Sequence, residues 1–327
     1  MNILFGKLKI KVKPEHVGTK ATIASVGGFT KEVNLVAPET NVILPGLEEY
    51  TITFAVNGAV QTFKLDYGSV VVCTSGWAII PWALATWDEI AEICDRYYNN
   101  EITLEEIREV WSVGDRRDVS LPAMLGYPGG MEAHVAQTVE LEIIGFDHDT
   151  LAQPINAHGK SLVTIQQHST LANGKSSEHG RIHSDGQISW YQDPERRTWC
   201  NEVYLGALPS ELKDIVKPVS KSTGNVKSTN TRITTEKTFL LGEKEVFGVS
   251  QYSSANTGQE QYEYYKNSIN RVKYAGLRDA SDASVNWWLR DGSVNSSANI
   301  YCYVNSSGIW SYTNIYNING IAPAMCL

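Results

Sequence analysis

The sequence predicts an α+β protein in which strands predominate. Apolar and polar residues alternate in the first 72 residues, two helix-capping sequences follow, and short apolar runs between Gly, Ser and Asn fill the remainder. One helical segment therefore separates two strand-rich zones. We predict a small N-terminal β-sandwich over residues 1–72, a helical connector over 73–120 that begins the second domain, and a C-terminal domain over 121–327.

The N-terminal zone has the alternation of strands with one buried face. Leu8, Ile10 and Val12 alternate with lysines, which places apolar side chains on one face and charged ones on the other. Asn57-Gly58 predicts a tight hairpin turn between two further alternating runs. This zone contains no catalytic pattern, and it resembles the small sandwich modules that serve as spacers and attachment domains.

The helical zone is predicted from two capping boxes. Residues 86–89 (TWDE) and 103–106 (TLEE) each place a Glu three positions after a Thr, so that each side chain can bond the other residue's backbone N–H. Apolar residues follow both boxes at helical spacing, which predicts two helices. We expect another helix near residues 209–216, and the polar stretch 220–235 predicts a long exposed loop.

Composition and charge exclude several classes of function. The net charge of −8 and the isoelectric point of about 5.4 argue against nucleic acid or an anionic membrane as the main partner. No run of 18 apolar residues could cross a bilayer, and Lys7, Lys9, Lys11 and Lys13 interrupt any secretory signal. The 16 Tyr and 9 Trp against 7 Phe favour a recognition surface.

The candidate catalytic and metal-binding residues are few. His148 lies between Asp147 and Asp149 in a GFDHD sequence that could bind a metal or relay a proton, but no second ligand cluster accompanies it. His179 and His183 are four apart, yet an intervening glycine and polar neighbours argue against a rigid helical metal face. We therefore predict no catalytic residue, metal or cofactor.

The cysteines predict neither a disulfide framework nor a metal site. They are odd in number and contain no CxxC pair, which favours reduced, partly buried thiols in a chain made in a cytoplasm. The five are Cys73, Cys94, Cys200, Cys302 and Cys326.

Residues 291–320 are built from a restricted set of residue types. Of these 30 residues, 22 are Asn, Ser, Tyr, Ile, Thr or Asp, and Lys, Arg, Glu, Gln and Leu are absent. Replacing one adenine in an Asn codon of the form AAY gives Ser, Thr, Ile, Tyr, Asp or His, so adenine-directed mutagenesis of an Asn-rich template would leave this composition. A low-complexity polar edge strand is the alternative. The interleaved Cys302, Val304 and Trp310 favour a variable surface on a fixed scaffold.

Seven ordered motifs between about residues 77 and 327 carry a family resemblance. They are Thr86-Trp87-x-x-Ile90, Val113-Gly114-Asp115, the run from Ile144 to Asp149, Leu208-Pro209, Glu243-x-Glu245-Val246-Phe247-Gly248, Trp287-Trp288-Leu289-Arg290 and Pro323-Ala324-Met325-Cys326. On these residues the sequence resembles an uncharacterised domain family common in gut Firmicutes and their phages. It departs from that family at Asp291-Gly292, where members often have Ser-Pro, and at Met325, where they have Phe.

The resemblance implies a fold for the C-terminal domain. The closing strands of the family look similar to the C-type lectin fold of formylglycine-generating enzymes. The same fold class serves the variable proteins of diversity-generating retroelements, including phage tropism determinants. In such a fold we expect Trp287, Trp288, Val304 and Trp310 to be buried and to hold the strands, while solvent-facing side chains vary.

These inferences together predict a phage tail-fibre receptor-binding protein, or adhesin, that is not an enzyme. We expect it in the virion at the fibre tip after synthesis in the host cytoplasm, as a homotrimer attached to tail or baseplate proteins. Its partner would be a host-surface protein or glycan, bound by a Tyr-, Ser- and Asn-rich surface of the kind found in antibodies. The predicted ligand-binding residues are Ile300, Tyr303, Ser307, Ile309, Ser311, Tyr312, Thr313, Asn314, Tyr316 and Asn317.

Two alternatives belong to other classes. A formylglycine-generating-type oxidase would need a reactive cysteine pair, for which Cys302 and Cys326 are the candidates in this zone. A cell-surface carbohydrate-acting hydrolase would need paired carboxylates, for which Asp147 and Asp149 are the candidates. The Tyr-rich stretch 262–265 is expected to be a packing or interface element.

Overall fold

The computed structural model describes residues 5–74, 76–126, 133–171, 190, 194–254, 259–275, 283–294, 300–314, 317 and 319–327. The chain is divided into two units, Met1–Ser112 and Val113–Leu327. It is a mixed α+β protein, mostly β, with several small sheets. Because the division follows Ser112, the helices predicted as a connector belong to the first unit.

The first unit contains two four-stranded sheets. Its strands are β1 (Phe5–Lys11), β2 (Lys20–Ser25), β3 (Thr30–Asn34), β4 (Glu39–Pro45), β5 (Glu48–Phe54), β6 (Val60–Leu65), β7 (Val70–Cys73) and β8 (Ala78–Ile79). The sheet orders are β4-β1-β7-β8 and β3-β2-β5-β6. Alternate residues of β1 and β5 are buried, as their sequence pattern predicts. Gly58 takes a φ of +68° in the turn between β5 and β6, which confirms the predicted hairpin.

Two helices complete the first unit, and a short 3₁₀ turn at Pro14–His16 lies between β1 and β2. They are α1 (Trp87–Tyr98) and α2 (Leu104–Arg108), and both predicted capping boxes are present. At the start of α1 the Thr86 hydroxyl accepts the Glu89 N–H at 3.3 Å, and the Glu89 carboxylate accepts the Thr86 N–H at 2.7 Å. These bonds satisfy N–H groups that have no partner within the helix.

The second unit adds fourteen strands among the described residues, together with short helices. The strands are β9 (Arg116–Leu121), β10 (Gln137–Phe146), β11 (Thr150–Ile155), β12 (His158–Lys160), β13 (Val163–Gln167), β14 (Val219–Gly224), β15 (Thr231–Glu236), β16 (Thr238–Phe239), β17 (Lys273–Tyr274), β18 (Ser284–Val285), β19 (Trp287–Gly292), β20 (Ile300–Val304), β21 (Trp310–Asn314) and β22 (Ala324–Cys326). The helices are α3 (Pro194–Thr198), a π turn (Trp199–Tyr204), α4 (Leu205–Ala207), α5 (Ser210–Ile215), α6 (Glu243–Phe247) and 3₁₀ turns at Glu263–Lys266 and Ser268–Arg271.

These strands form four small sheets. A five-stranded sheet has the order β16-β22-β13-β10-β9, and a four-stranded sheet has the order β12-β11-β14-β15. A three-stranded sheet, β19-β20-β21, contains the hairpin of β20 and β21, and β17 pairs with β18. No helix among the described residues is long and apolar enough to span a membrane.

The structure confirms one prediction in the middle of the chain and corrects another. Helix α5 lies within the predicted 209–216 segment. The stretch 220–235 is wrong as an exposed loop, because β14 and β15 form an antiparallel hairpin there. Lys221 and Thr223 of β14 are buried. Polar composition indicated solvent, but these side chains form a buried hydrogen-bonded network.

Candidate functional site

The candidate binding residues lie on the hairpin formed by β20 and β21. The two strands pair with Ile300 opposite Asn314 and Val304 opposite Trp310. Strand β20 is central, with β19 on its other side, whereas β21 is the edge strand. Accordingly Tyr301 of β20 is fully buried, and every residue of β21 retains some exposure.

The described candidates are all at least partly accessible. Nine of the ten have described positions, and none of those nine is buried. The exposed ones are Ser307, Ile309, Tyr312 and Asn317, and the partly exposed ones are Ile300, Tyr303, Ser311, Thr313 and Asn314. Tyr316 lies outside the described residues, as do residues 295–299 of the restricted-composition window.

The predicted scaffold of this hairpin is buried with one exception. Trp287, Trp288 and Val304 have no solvent exposure, and the Trp287 indole N–H donates to the Arg271 carbonyl at 2.9 Å. Trp310 is only half-buried, so its prediction as a core residue is wrong. It lies on the edge strand, and its side chain keeps partial exposure.

The turn of the hairpin is stabilised by hydrogen bonds within it and by packing against residues 268–272. The Asn305 carboxamide oxygen accepts the N–H groups of Ser307 at 2.9 Å and Ile309 at 3.0 Å. Gly308 has a φ of +77°, and a Cβ atom there would lie 3.2 Å from the Val272 side chain. Both its conformation and its close packing against residues 268–272 therefore require glycine.

A groove of about 420 Å³ opens beside this turn. It is lined by the turn, by the 3₁₀ segment Ser268–Arg271 and by Phe247 at the end of α6. Trp310 contacts Phe247 edge-on, with ring centroids 5.0 Å apart. Two candidate residues, Ser307 and Ile309, thus belong to a concave surface with an aromatic wall.

Strand β19, which supports the hairpin, also contributes to a buried charge network. The Arg290 guanidinium donates to the Glu245 carboxylate at 2.6 Å, and the Lys221 ammonium lies 3.0 Å from the other oxygen of that carboxylate. Lys221 also forms a close ion pair with Asp149, whose carboxylate accepts the Tyr262 hydroxyl at 2.8 Å. The four charged residues come from four separate segments, with two positive and two negative charges, and Tyr262 belongs to a fifth.

The carboxylates of this network are held ionised. Burial opposes ionisation of Asp149, but the adjacent Lys221 ammonium and the hydrogen bonds to the carboxylate leave its pKa well below the usual range. Burial acts likewise on Glu245, and the positive charges of Arg290 and Lys221 lower its pKa to about 2. These four charged side chains are closed to solvent, and two cations face two carboxylates. The network therefore has the properties of a structural part of the core.

A second set of carboxylates anchors the loops around β19. Asp291 accepts the backbone N–H of Gly224 at 2.8 Å and that of Glu243 at 2.7 Å. The Glu243 carboxylate in turn accepts the N–H and the hydroxyl of Ser253, at 2.8 and 2.7 Å. Asp291, where the resembling family often has Ser, therefore connects β19 to two other segments.

The cysteines of the oxidase alternative are not reactive thiols in this structure. Cys302 and Cys326 have no solvent exposure, and burial raises the pKa of both well above the usual range. The Cys326 thiol donates to the Asp149 carboxylate at 3.2 Å. Reactive cysteines are typically accessible and have a lowered pKa.

The GFDHD residues do not form paired carboxylates in a cleft. Asp147 is exposed, with a φ of +44°, whereas Asp149 is buried in the charge network. His148 stacks on Tyr262 at a centroid distance of 3.9 Å. In the described part of the chain, no three His, Cys, Asp or Glu side chains are grouped to hold a metal ion. His179 and His183 lie outside the described residues.

The network beside the site is not predicted from the sequence. The polar sequence around Lys221 predicts a loop, and Glu245 and Arg290 belong to family motifs for which the sequence predicts no physical role. The useful signal was present, because Arg290 directly follows the apolar run Trp287-Trp288-Leu289. A charge in such a run is expected to be paired when it is buried. The Tyr-rich stretch 262–265 is a packing element, with all three tyrosines buried.

The fold and site define a mostly β domain in which a buried charge network includes the strand beside the β20–β21 hairpin. Residues 160–327 match the model of the family described as a domain of unknown function, DUF6273. The chain belongs to that family. The matched range contains the hairpin, the groove and three of the four charged network residues, whereas Asp149 precedes it. No curated protein and no solved structure matches the chain.

Proposed function

We propose that this protein is a receptor-binding protein of a phage tail fibre, and that the β20–β21 hairpin is its ligand-binding surface. The observation that carries the proposal is the separation between accessible and buried residues within one short segment. The described candidates of the restricted-composition window are accessible, whereas Cys302, Val304 and Tyr301 between them are fully buried. Residues on such a surface can change without altering the core.

The chemistry of the accessible residues supports binding. Tyr312 is 44% exposed and its ring contacts Tyr252 edge-on at 4.7 Å, which orders a large side chain before any ligand arrives. Rigid aromatic anchors surrounded by Ser and Asn are typical of antibody paratopes. In this proposal the C-terminal unit has a C-type lectin-like fold, and the N-terminal unit is a β-sandwich that attaches a homotrimer to the particle.

The proposal is tested by the binding of the labelled full chain to a panel of gut Firmicutes cells. Truncating an exposed aromatic anchor removes about 1–2 kcal/mol or more, so Tyr312→Ala should weaken attachment roughly 5- to 30-fold. Tyr67→Ala is the matched control, because Tyr67 is 47% exposed and lies in the first unit. Both variants should keep the thermal stability of the parent, since surface substitutions usually change it little.

Two results would overturn the proposal. One is unchanged attachment by Tyr312→Ala together with unchanged attachment by Ile309→Ala. The other is sequence variation among sibling genes that is spread evenly along the chain instead of concentrated at positions such as 300, 303, 309, 311–314, 316 and 317. An adjacent reverse-transcriptase gene with a near-copy of the 3′ end would support it independently.

A further inference from the structure

The groove beside the hairpin turn combines apolar walls with a single cation. Ile269 is 71% exposed and Ile309 is 56% exposed, and both line the groove with the aromatic pair Phe247 and Trp310. Arg271 is the only ionisable residue among the lining residues. A concave site of this size falls within the range of about 300–1,000 Å³ that is typical of ligand pockets.

The Arg271 guanidinium is held in position but its charge is not neutralised. Its Nε and Nη2 groups donate to the Tyr265 carbonyl at 3.3 and 3.1 Å, and its Cζ lies 4.9 Å from the centre of the Phe247 ring. Within the described part of the chain Arg271 forms no ion pair, and its Nη1 group forms no hydrogen bond. A fixed planar cation with free N–H groups is complementary to a carboxylate.

We propose that this groove binds an acidic peptide segment of a partner protein. An Asp or Glu carboxylate of the segment pairs with Arg271, and a neighbouring aliphatic or aromatic side chain packs on Trp310 and Ile309. The inference rests on the function proposed above and specifies the chemical class of its ligand.

The rim of the groove favours a peptide over an acidic sugar. Ile269 and Ile309 present aliphatic surface that an apolar side chain can cover with a gain in free energy. Sugar hydroxyls placed against the same surface would lose water without gaining hydrogen-bond partners. Arg and Trp are also the residues most enriched among the energetic centres of protein interfaces.

The test is selection of a randomised heptapeptide library on the immobilised full chain. Enriched peptides should carry Asp or Glu within two positions of Leu, Ile, Phe or Trp. A synthetic copy should bind the parent at least tenfold more tightly than Arg271→Gln, and Arg271→Lys should recover only part of the loss, because an ammonium lacks the planar fork.

A second variant keeps the test decisive if the Arg271 variants fail to fold. Ile309→Glu adds a negative charge at an exposed position and should reduce peptide binding at least tenfold. Ile233→Glu is its control, because Ile233 on β15 is 75% exposed and lies outside the groove lining.

The inference would be overturned by no enrichment, by enriched peptides without carboxylates, or by equal binding to the parent, Arg271→Gln and Ile309→Glu. It would also be overturned if trigalacturonate, but no peptide, bound in an Arg271-dependent way. Cell attachment that depends on Tyr312 but not on Arg271 or Ile309 would remove this inference and leave the proposed function intact. Peptide binding in the groove, with cell attachment that depends on neither Tyr312 nor Ile309, would overturn the proposed function and leave this inference intact.

Discussion

Replacing Lys221 by Met should strongly destabilise the second unit. Lys221 is 1% exposed, and its ammonium contacts Asp149 and lies 3.0 Å from Glu245. The other cation of the network is Arg290. Methionine keeps most of the side-chain volume but leaves two buried carboxylates against one guanidinium. Removing one partner of a buried ion pair costs about 3–5 kcal/mol, a large share of the roughly 5–15 kcal/mol that stabilises a typical domain.

Hydrogen exchange read by mass spectrometry measures this loss where it occurs. Peptides that cover β14 and β19 report the local free energy of opening in the intact chain, so the first unit does not confuse the measurement. Lys237→Met is the matched control, because Lys237 is exposed and follows β15 directly. Its exchange should equal that of the parent.

A double variant separates lost charge balance from lost packing. Adding Asp149→Asn to Lys221→Met leaves one negative and one positive charge, Glu245 and Arg290, so part of the stability should return. The coupling between the two changes should exceed about 1 kcal/mol. Protection of β14 and β19 within about 1 kcal/mol of the parent in Lys221→Met alone would refute the reasoning that this network is a structural core.

The features predicted well from the sequence are those decided by neighbouring residues. The capping boxes at Thr86 and Thr103 and the turn at Gly58 depend on contacts within four residues. Such contacts form in the same way in almost any fold, because the side-chain and backbone groups that make them are at most four positions apart. Alternation in β1 likewise predicted a strand with one buried face.

The features predicted poorly are those decided by distant residues. Lys221 lies 72 positions from Asp149 and 24 from Glu245, so nothing in its local sequence shows that its charge is neutralised. The polar hairpin of β14 and β15 therefore had the composition of a loop. The partial exposure of Trp310 is not predictable for a related reason, since the sequence does not show which strand forms the edge of the sheet.

The site itself was predictable in outline but not in shape. Composition drew attention to the hairpin, and its described candidate residues are accessible, but the same restricted set of residue types also includes the buried Tyr301 and Asn319. Composition did not identify the groove, whose walls come from Phe247, Arg271 and the turn at Gly308, three segments that the fold brings together. The charge network connects the strand that carries Trp287 and Trp288 to α6 and β14, since Arg290 of the same strand bonds to Glu245 and Thr223.

Acidification, a core truncation and a turn substitution test the support of this surface. The pKa of Glu245 is lowered to about 2 from an unfolded value near 4.3, so its ionised form stabilises the folded chain above about pH 4.3. This stabilisation is lost as the pH falls towards 2. A urea unfolding midpoint that does not change between pH 5 and pH 2 would contradict this prediction. Trp288→Ala should cost about 3–5 kcal/mol in urea unfolding, because Trp288 is fully buried, and a stable variant that lost only binding would place this residue at the surface. Gly308→Ala should both destabilise the turn and weaken peptide binding in the groove. The alanine must adopt a φ of +77°, and its Cβ would lie 3.2 Å from the Val272 side chain. The turn should therefore move away from the segment that forms the opposite wall of the groove. Gly28→Ala is the control, because Gly28 has a φ of +92° with nothing within 4 Å of an added Cβ, and it therefore isolates backbone strain of about 1–3 kcal/mol. Equal losses of melting temperature in the two variants, with peptide binding intact in Gly308→Ala, would show that packing of the turn does not shape the groove.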